Sequence, residues 1–302
     1  MSTPWKCSAS ISTPDSPPVL PYYLGCPSWH EPAWRGLVYP PDARPADSLE
    51  HYARRFNAVE GNTTFYARPT PATVTRWAQL MPAGFRFCAK LPRDISHGGD
   101  LRAQGQATQA FLDLLAPLGP RVTPLWLQLP AAFGPQRLGE LAAWLDEFQQ
   151  RSIAVELRHP AFFARGDEER ALNRLLHERG VERICLDSRA LFSCRSDDPA
   201  VLHAQAKKPR LPVRPAAFSR SPQLRFIGGP DLRTNLRFLQ PWLDKVAAWI
   251  EQGLTPYVFL HTPDNQLAAA QALRFHELLR ERLPGLAELP MPDSASAQLG
   301  LL

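Results

Sequence analysis

Charged side chains follow a short apolar strand in the segment Ile-Ala-Val-Glu-Leu-Arg-His-Pro, residues 153–160. Alternate residues of a β-strand share a face, so Glu156 and Arg158 lie opposite the aliphatic side chains. His159 follows them, and Pro160 ends the strand because it has no N–H to donate. A carboxylate and a guanidinium in these positions indicate a strand whose inner face lines the mouth of a cavity. A carboxylate and an imidazole there could serve as general base and general acid.

Most of the other predicted strands also end in polar side chains. These are Glu60 and Asn62 on the second strand, Lys90 on the third, Gln128 on the fourth, Asp187 on the sixth, Arg225 on the seventh and His261 on the eighth. His97 follows in the loop after the third strand, which we expect above the same edge. Each residue alone is more often a cap or a structural ion pair. Their coincidence at successive strand ends predicts a functional site.

Strands alternate with helices along the chain, which predicts a parallel sheet. The predicted strands cover residues 22–25, 57–60, 85–89, 124–129, 153–157, 183–186, 224–227 and 257–260. The predicted helices cover residues 49–56, 71–80, 106–118, 135–148, 168–179, 235–252 and 268–283. Eight strand units in 302 residues predict an α/β protein with a single TIM-type (β/α)8 barrel. That fold gathers reactive groups at the carboxyl ends of its strands.

Three segments depart from the repeating pattern. Residues 1–20 are rich in Ser, Thr and Pro and are predicted to be a disordered leader. Residues 21–290 form the predicted barrel domain, and residues 291–302 form a loose C-terminal tail. The connection between strands six and seven, residues 188–223, is irregular and contains Pro, Lys and Arg. It could be a disordered insertion or a lid over the barrel mouth.

The composition restricts the class of protein. The formal net charge is +5, and the chain has five lysines and 29 arginines, a balance that permits an anionic ligand without requiring one. The five cysteines form no C-x-x-C motif, which indicates free thiols in a reducing compartment. No signal peptide or membrane-spanning run is recognisable in the sequence. We therefore expect a cytoplasmic protein with no membrane partner.

Several long motifs resemble those of a known bacterial family, the YecE-like proteins, also called domain of unknown function 72. The motifs are Val-Glu-Gly-Asn-Thr-Thr-Phe-Tyr (59–66), Phe-Arg-Phe-Cys-Ala-Lys (85–90), Ile-Ser-His (95–97), Leu-Gln-Leu-Pro-Ala-Ala-Phe-Gly-Pro (127–135), Val-Glu-Leu-Arg-His-Pro (155–160), Leu-Asp-Ser-Arg (186–189), Lys-Lys-Pro (207–209), Arg-Phe-Ile-Gly (225–228) and His-Thr-Pro-Asp (261–264). The resemblance covers roughly residues 22–290 and implies a TIM-type barrel. It also implies that the Lys-Lys-Pro run belongs to an ordered or conditionally ordered flap. Other branches of the family carry His at position 227 and Asn at position 261. The family has no settled activity.

The favoured hypothesis is an enzyme or ligand-binding barrel for an anionic or polyhydroxylated small molecule, such as a sugar phosphate. The candidate catalytic residues are Glu60, Lys90, Glu156, His159 and Asp187, and the candidate substrate-binding residues are Asn62, His97, Gln128, Arg158, Arg225 and His261. Arginine and lysine would bind negative charge, a glutamate would be the general base, and His97 or His159 the general acid. Lys90 could also form a Schiff base if desolvation lowered its pKa.

Three alternatives stay open. A divalent-metal-dependent isomerase or endonuclease is one, because carboxylates and imidazoles are suitable metal ligands. It is not favoured, because Lys90 and Arg158 would satisfy the carboxylates and repel a cation. A nucleic-acid-binding module is also not favoured, because no recognised nucleic-acid motif accompanies the basic 205–214 stretch. A non-catalytic barrel that binds a metabolite is the third. No cofactor is predicted, because the common nucleotide-binding motifs are absent.

Overall fold

A computed structural model describes residues 19–291 of the protein. Nine strands are present in this range: β1 (Tyr23–Cys26), β2 (Ala58–Gly61), β3 (Arg86–Ala89), β4 (Leu125–Gln128), β5 (Ile153–Glu156), β6 (Glu182–Arg183), β7 (Cys185–Asp187), β8 (Gln223–Ile227) and β9 (Tyr257–His261). The predicted leader and tail lie outside the described residues, apart from Val19, Leu20 and Met291.

Helices follow most of the strands, as the sequence predicts. The α-helices of the described range are α1 (Ser48–Arg55), α2 (Thr63–Tyr66), α3 (Pro71–Leu80), α4 (Arg93–Ser96), α5 (Gly105–Leu115), α6 (Leu138–Glu147), α7 (Asp167–Glu178), α8 (Arg189–Ser193), α9 (Pro199–Lys207), α10 (Leu232–Glu251) and α11 (Ala268–Arg282). Capping side chains and glycines determine where several of these helices begin and end. The Thr70 hydroxyl accepts a hydrogen bond from Thr73 N ahead of Pro71, which starts α3. Gly180, at φ +59°, follows α7 in the left-handed conformation.

All strand pairs in the described part of the chain are parallel. One sheet has six strands in the order β3-β2-β1-β9-β8-β7, and the other has three in the order β4-β5-β6. The α/β class and the parallel pairing are confirmed. The closed barrel is not, because no continuous ladder joins the two sheets. The predicted sixth strand is also divided in two, since Glu182–Arg183 pairs with β5 and Cys185–Asp187 pairs with β8.

Buried apolar side chains lie on both faces of the strands. The larger cluster packs the strands against the helices and includes Val155 and Leu157. A separate inner cluster consists of Ala58, Cys88, Trp126, Ala154, Ile184, Tyr257 and Phe259. Aliphatic side chains therefore face the helices, and the alternate positions face an enclosed interior. On β5 the polar Glu156 therefore lies on the face opposite the aliphatic side chains, whereas on β7 the arrangement is reversed.

The 188–223 connection contains two helices, α8 and α9. Gln205 Nε2 joins them by donating to the carbonyl oxygens of Leu191 and Cys194, both at 3.0 Å. The Ser188 hydroxyl donates to Pro209 O at 2.8 Å, which ties the end of α9 to the end of β7. The connection thus carries the Lys-Lys-Pro run back to the strand ends.

A glycine in β1 permits the close approach of β2 that places Glu60. A Cβ added at Gly25 would lie 2.1 Å from Ala58 O and 3.1 Å from the Tyr52 hydroxyl oxygen. The same hydroxyl donates to Ala58 O and accepts from Cys26 N, at 2.8 and 2.7 Å. A side chain at position 25 would therefore push β1 and β2 apart.

We expect Gly25→Ala to lower the free energy of unfolding by roughly 2 kcal/mol or more, because overpacking a rigid core is costly. Gly139→Ala is the matched control: a Cβ there meets nothing within 4 Å, and alanine is favoured over glycine in a helix such as α6. Chemical denaturation of both variants measures the difference. Equal stabilities would show that the strands tolerate a side chain at this position.

Candidate active site

The guanidinium of Arg225 occupies the centre of the polar strand ends. Its Nη2 and Nε lie 2.6 and 3.0 Å from the two carboxylate oxygens of Glu60, and its Nη1 lies 3.0 Å from Glu156 Oε2. All three side chains are at most 2% exposed. Arg225 thus bridges two carboxylates from β2 and β5 with the planar fork geometry that arginine provides.

Two further side chains complete the bonding of these carboxylates. Arg158 donates from Nε to Glu156 Oε1 at 2.9 Å and from Nη2 to Gln128 Oε1 at 2.8 Å. His261 Nε2 lies 2.6 Å from Glu60 Oε2. We name the six residues Glu60, Gln128, Glu156, Arg158, Arg225 and His261 the ion-pair cluster. It joins side chains from five strand ends into one hydrogen-bonded group.

The cluster keeps both carboxylates ionised. Burial alone would raise the pKa of Glu60, but the charge of Arg225 and the hydrogen bond from His261 hold it well below its usual value. Burial opposes ionisation of Glu156 as well, yet Arg158 and Arg225 lower its pKa to about 2. Burial lowers the pKa of His261 to about 4, so at neutral pH its neutral ring donates from Nε2 to Glu60. Neither glutamate is tuned as a general base near pH 7.

Side chains from two helices, α10 and α11, hold the backbone of His261 in place. Gln271 of α11 donates from Nε2 to His261 O at 3.0 Å, and Asn235 of α10 donates to Gln271 Oε1 at 2.6 Å. Asn235 also accepts from Gly229 N at 2.8 Å, which holds the loop after β8. This buried amide pair therefore sets the positions of the last two strand ends.

A cavity of about 560 Å³ lies above the ion-pair cluster. Its lining contains no aspartate or glutamate among the described residues, whereas it contains six cationic side chains. These are Lys90, Arg93, Arg158, Lys207, Lys208 and Arg225. The predicted ligand-binding residues Asn62, His97, Gln128 and His261 also line it. The cavity is accordingly a polar site with an excess of positive charge.

Two of these lysines have no carboxylate partner within the described residues. Lys90 is 4% exposed, and its ammonium group lies 4.8 Å from the centre of the Phe65 ring. Burial and the nearby charge of Arg225 lower its pKa to about 8. The half-buried Lys208 enters from the 188–223 connection, and the same two causes lower its pKa to about 7. Both groups exchange protons near neutral pH.

The half-buried His97 ring contacts the same aromatic side chain, with its centre 5.4 Å from that of Phe65. Its Nδ1 lies 2.9 Å from the Ser96 hydroxyl oxygen. Burial and the charge of Arg93 lower the pKa of His97, so the ring is neutral at pH 7. Lys90 and His97 thus flank one ring at the edge of the cavity.

Two predicted site residues do not join the others. Asp187 shares the outward face of β7 with Cys185, and its carboxylate binds Arg189 at 2.8 Å and accepts from Trp242 Nε1 at 2.8 Å. The inward position belongs to Leu186. Ile184 and Leu186 take the inward positions of this strand, so the rule that aliphatic side chains face the helices, from which Asp187 was predicted to point inward, fails here.

His159 also lies away from the cavity. Its Nδ1 accepts a hydrogen bond from Ala161 N at 3.2 Å, and its ring packs edge-on against Phe162, 5.8 Å between centres. The residue caps the short 3-10 helix Pro160–Phe163. The turn at Pro160 directs the imidazole into this capping role, whereas Arg158 points inward.

Sequence reasoning missed Lys208 as a site residue. The signal available was the scarcity of lysine: three of the five in the chain, Lys90, Lys207 and Lys208, line this one cavity. It also missed Phe65 and Arg93, which lie on or near the short helices α2 and α4. Both helices are too short to show a helical pattern of apolar residues in the sequence.

No group of three or more His, Cys, Asp or Glu side chains within residues 19–291 is arranged to hold a metal ion. The carboxylates of the cluster are bound by arginine instead. No helix in the same range has the length and apolarity needed to cross a membrane.

Comparison with known proteins places the chain in a family. The model for the family described as protein of unknown function DUF72 matches residues 23–295, so the chain belongs to that family. It is 45% identical over 276 residues to UPF0759 protein YecE of Escherichia coli strain K12, covering 91% of this chain and 98% of that protein. The corresponding protein of Escherichia coli O157:H7 is 44% identical over the same length.

Solved structures show the same fold. Two crystal structures of a DUF72 family protein from Enterococcus faecalis V583 align with TM-scores of 0.68 and 0.65. They are 17% and 20% identical to this chain and cover 91% and 86% of it, and 98% and 97% of their own chains. At this identity the likeness concerns the fold alone.

We expect Arg225→Met to lower the free energy of unfolding by about 3–5 kcal/mol at pH 7, because the buried Glu60 loses its arginine partner and Glu156 keeps only Arg158. The loss should shrink toward pH 5, since burial raises the pKa of an unpaired carboxyl and the folded state then takes up protons. Arg274→Met, which breaks an exposed pair with Glu277, is the control and should cost less than about 1 kcal/mol. Equal losses in denaturant titrations would contradict a central role for Arg225.

Proposed function

We propose that the protein binds an anionic, hydroxylated small molecule, of the sugar phosphate class, in the cavity above the ion-pair cluster, and acts on it as an enzyme. The observation that carries this proposal is the charge imbalance of the cavity. Arg158 and Arg225 neutralise Glu156 and Glu60, while Lys90 and Lys208 have no carboxylate partner. An anion would supply the missing negative charge.

Polar groups beside the lysines would recognise hydroxyl groups. Asn62 and Gln128 line the cavity, and each carries an amide that both donates and accepts hydrogen bonds. A cavity of about 560 Å³ accommodates a molecule of sugar phosphate size. The lining is rich in polar atoms, which favours a hydroxylated ligand over an apolar one.

The strand arrangement also supports a closed (β/α)8 barrel, which we propose as the full architecture. Leu91 N donates to Trp126 O at 2.9 Å, and a parallel bridge pairs Lys90 with Trp126, so β3 approaches β4. At the other junction Ile184 N donates to Val155 O at 2.9 Å within the chain that joins β6 to β7. Counted as one strand, residues 182–187 give eight strands around the interior.

The alternatives have weaker support. A divalent-metal site would need carboxylates free to coordinate, but arginine already binds both. A nucleic-acid module would need a continuous basic surface, whereas the excess charge here lies inside a cavity. A cytoplasmic location remains a proposal from the cysteine chemistry; Cys26, Cys88, Cys185 and Cys194 are free thiols.

Titration calorimetry with glycerol 3-phosphate and ribose 5-phosphate tests the binding proposal. We expect Lys90→Met and Lys208→Met each to weaken binding at pH 7 by roughly 10- to 100-fold, because a charge-assisted hydrogen bond contributes about 1.5–3 kcal/mol. Lys245→Met is the matched control, since Lys245 lies over Trp249 on the outer helix α10. Equal weakening by all three variants, or binding by none of the proteins, would contradict the proposal.

The pH dependence provides a further test with the wild-type protein. A lysine is charged below its pKa, so affinity should fall as pH rises through about 7 and about 8, where Lys208 and Lys90 lose their protons. The phosphate group is already mostly a dianion above pH 7 and changes little. We expect about a tenfold or greater loss between pH 7 and pH 9. Affinity that is constant over this range would contradict a role for these lysines.

A further inference from the structure

We propose that Lys90 is a nucleophile that forms a Schiff base with an aldehyde or ketone group of the bound anion. This inference rests on the function proposed above, because the anionic end of the ligand would be held by the neighbouring cations while its carbonyl meets the Lys90 amine. It adds a reaction class, carbonyl chemistry through a covalent lysine, to a site otherwise defined by charge alone.

The position of Lys90 is fixed by its backbone. The residue directly follows β3, and the buried Thr64 hydroxyl donates to Lys90 O at 2.6 Å. The next residue is tied to β4, as the bond from Leu91 N to Trp126 O shows. Lys207 is exposed, and Lys208 follows the end of α9 in the long connection. Among the cavity lysines, Lys90 is therefore the one on a rigid, buried support, as covalent chemistry requires.

The surroundings of the Lys90 amine favour its neutral form. The two carboxylates of the cluster are held by Arg158 and Arg225, so the ammonium group over the Phe65 ring forms no ion pair with them. Burial and the charge of Arg225 outweigh the opposing effect of Glu156 and Glu60 on its pKa. Desolvation and a neighbouring cation are the two conditions that activate lysine as a nucleophile. With a pKa of about 8, roughly a tenth of the side chain is an amine at pH 7.

The surroundings of Lys90 differ from those of a buried lysine that only stabilises a fold. A buried lysine retained for stability is normally paired with a carboxylate, since an unpaired buried charge is costly. Glu60 and Glu156 are the carboxylates nearest to the cavity, and arginine takes both. The unpaired lysine is thus a cost to the fold, and such costs are characteristic of reactive groups.

Formation of the Schiff base needs no reactant besides the Lys90 amine, the carbonyl group and a proton. The amine lone pair attacks the carbonyl carbon, a C–N bond forms, and the C–O π pair moves to oxygen, which takes up a proton. Loss of the hydroxyl group as water then leaves a cationic iminium on Nζ. The neutral His97 ring, which also contacts Phe65 and lines the cavity, would carry protons between nitrogen, oxygen and solvent. The iminium would then accept electrons from an adjacent C–H or C–C bond.

Reductive trapping tests this inference. The full chain is incubated with dihydroxyacetone phosphate, glyceraldehyde 3-phosphate or ribose 5-phosphate and reduced with borohydride. Intact mass and peptide mapping then locate any adduct. We expect one ligand per chain on the peptide that contains Lys90, with at least one of the three carbonyl compounds. Glycerol 3-phosphate, which lacks a carbonyl, should bind and give no adduct.

Lys90→Arg is the decisive variant, because it keeps the positive charge and removes the nucleophile. It should retain glycerol 3-phosphate binding within about tenfold, which verifies its fold, and lose the adduct. Lys245→Met, on the outer helix α10, should keep the adduct. If glycerol 3-phosphate binds to the wild-type protein but no adduct forms at Lys90, or the adduct lies on Lys208, this inference is wrong and the binding proposal stands. If none of the four phosphates binds, both are wrong.

Discussion

The bridge that Arg225 forms between Glu60 and Glu156 is the interaction on which the rest of the site depends. It satisfies two buried carboxylates with one planar cation, and His261 and Arg158 complete their bonding. A buried ion group of this kind adds little net stability, because desolvation offsets most of the attraction. Its effect here is on the charge of the cavity: because arginine binds both carboxylates, Lys90 and Lys208 form no ion pair with a carboxylate among the described residues.

The fold supplies this arrangement from elements that are far apart in the chain. Parallel strands bring the ends of β2, β4, β5, β8 and β9 to one edge, and the register pairs Gln128 with Glu156 directly. Below the charged layer, the Trp126 and Phe259 rings pack edge to face, 5.3 Å between centres. This apolar floor strengthens the electrostatic interactions above it, since it excludes water from one side. The 188–223 connection then adds Lys208 to the lining of the cavity.

Sequence periodicity was sufficient to find most of the strands and the inward-facing polar residues, because alternation on a strand determines the face of each side chain. It placed Glu60, Glu156, Arg158, Arg225 and His261 correctly on one edge. It misplaced Asp187, because the aliphatic Ile184 and Leu186 face inward on that strand, and His159, because Pro160 starts a new turn there. Lys208 was missed for a different reason: its segment has no period of its own, and only the return of residues 188–223 to the strand ends, through the Ser188–Pro209 hydrogen bond, brings it to the site. Which lysines lack a carboxylate partner depends on side-chain pairing, which periodicity cannot predict.

The two cavity lysines that form no ion pair among the described residues are the groups we propose an anion would bind. With five lysines in the chain, carbon NMR of isotopically dimethylated lysine side chains can follow each one, assigned by lysine-to-arginine substitution. We expect Lys208 and Lys90 to titrate near pH 7 and pH 8, and saturating glycerol 3-phosphate to raise both pKa values by about one unit or more. Titration of both groups above about pH 10, with no response to the phosphate, would contradict it.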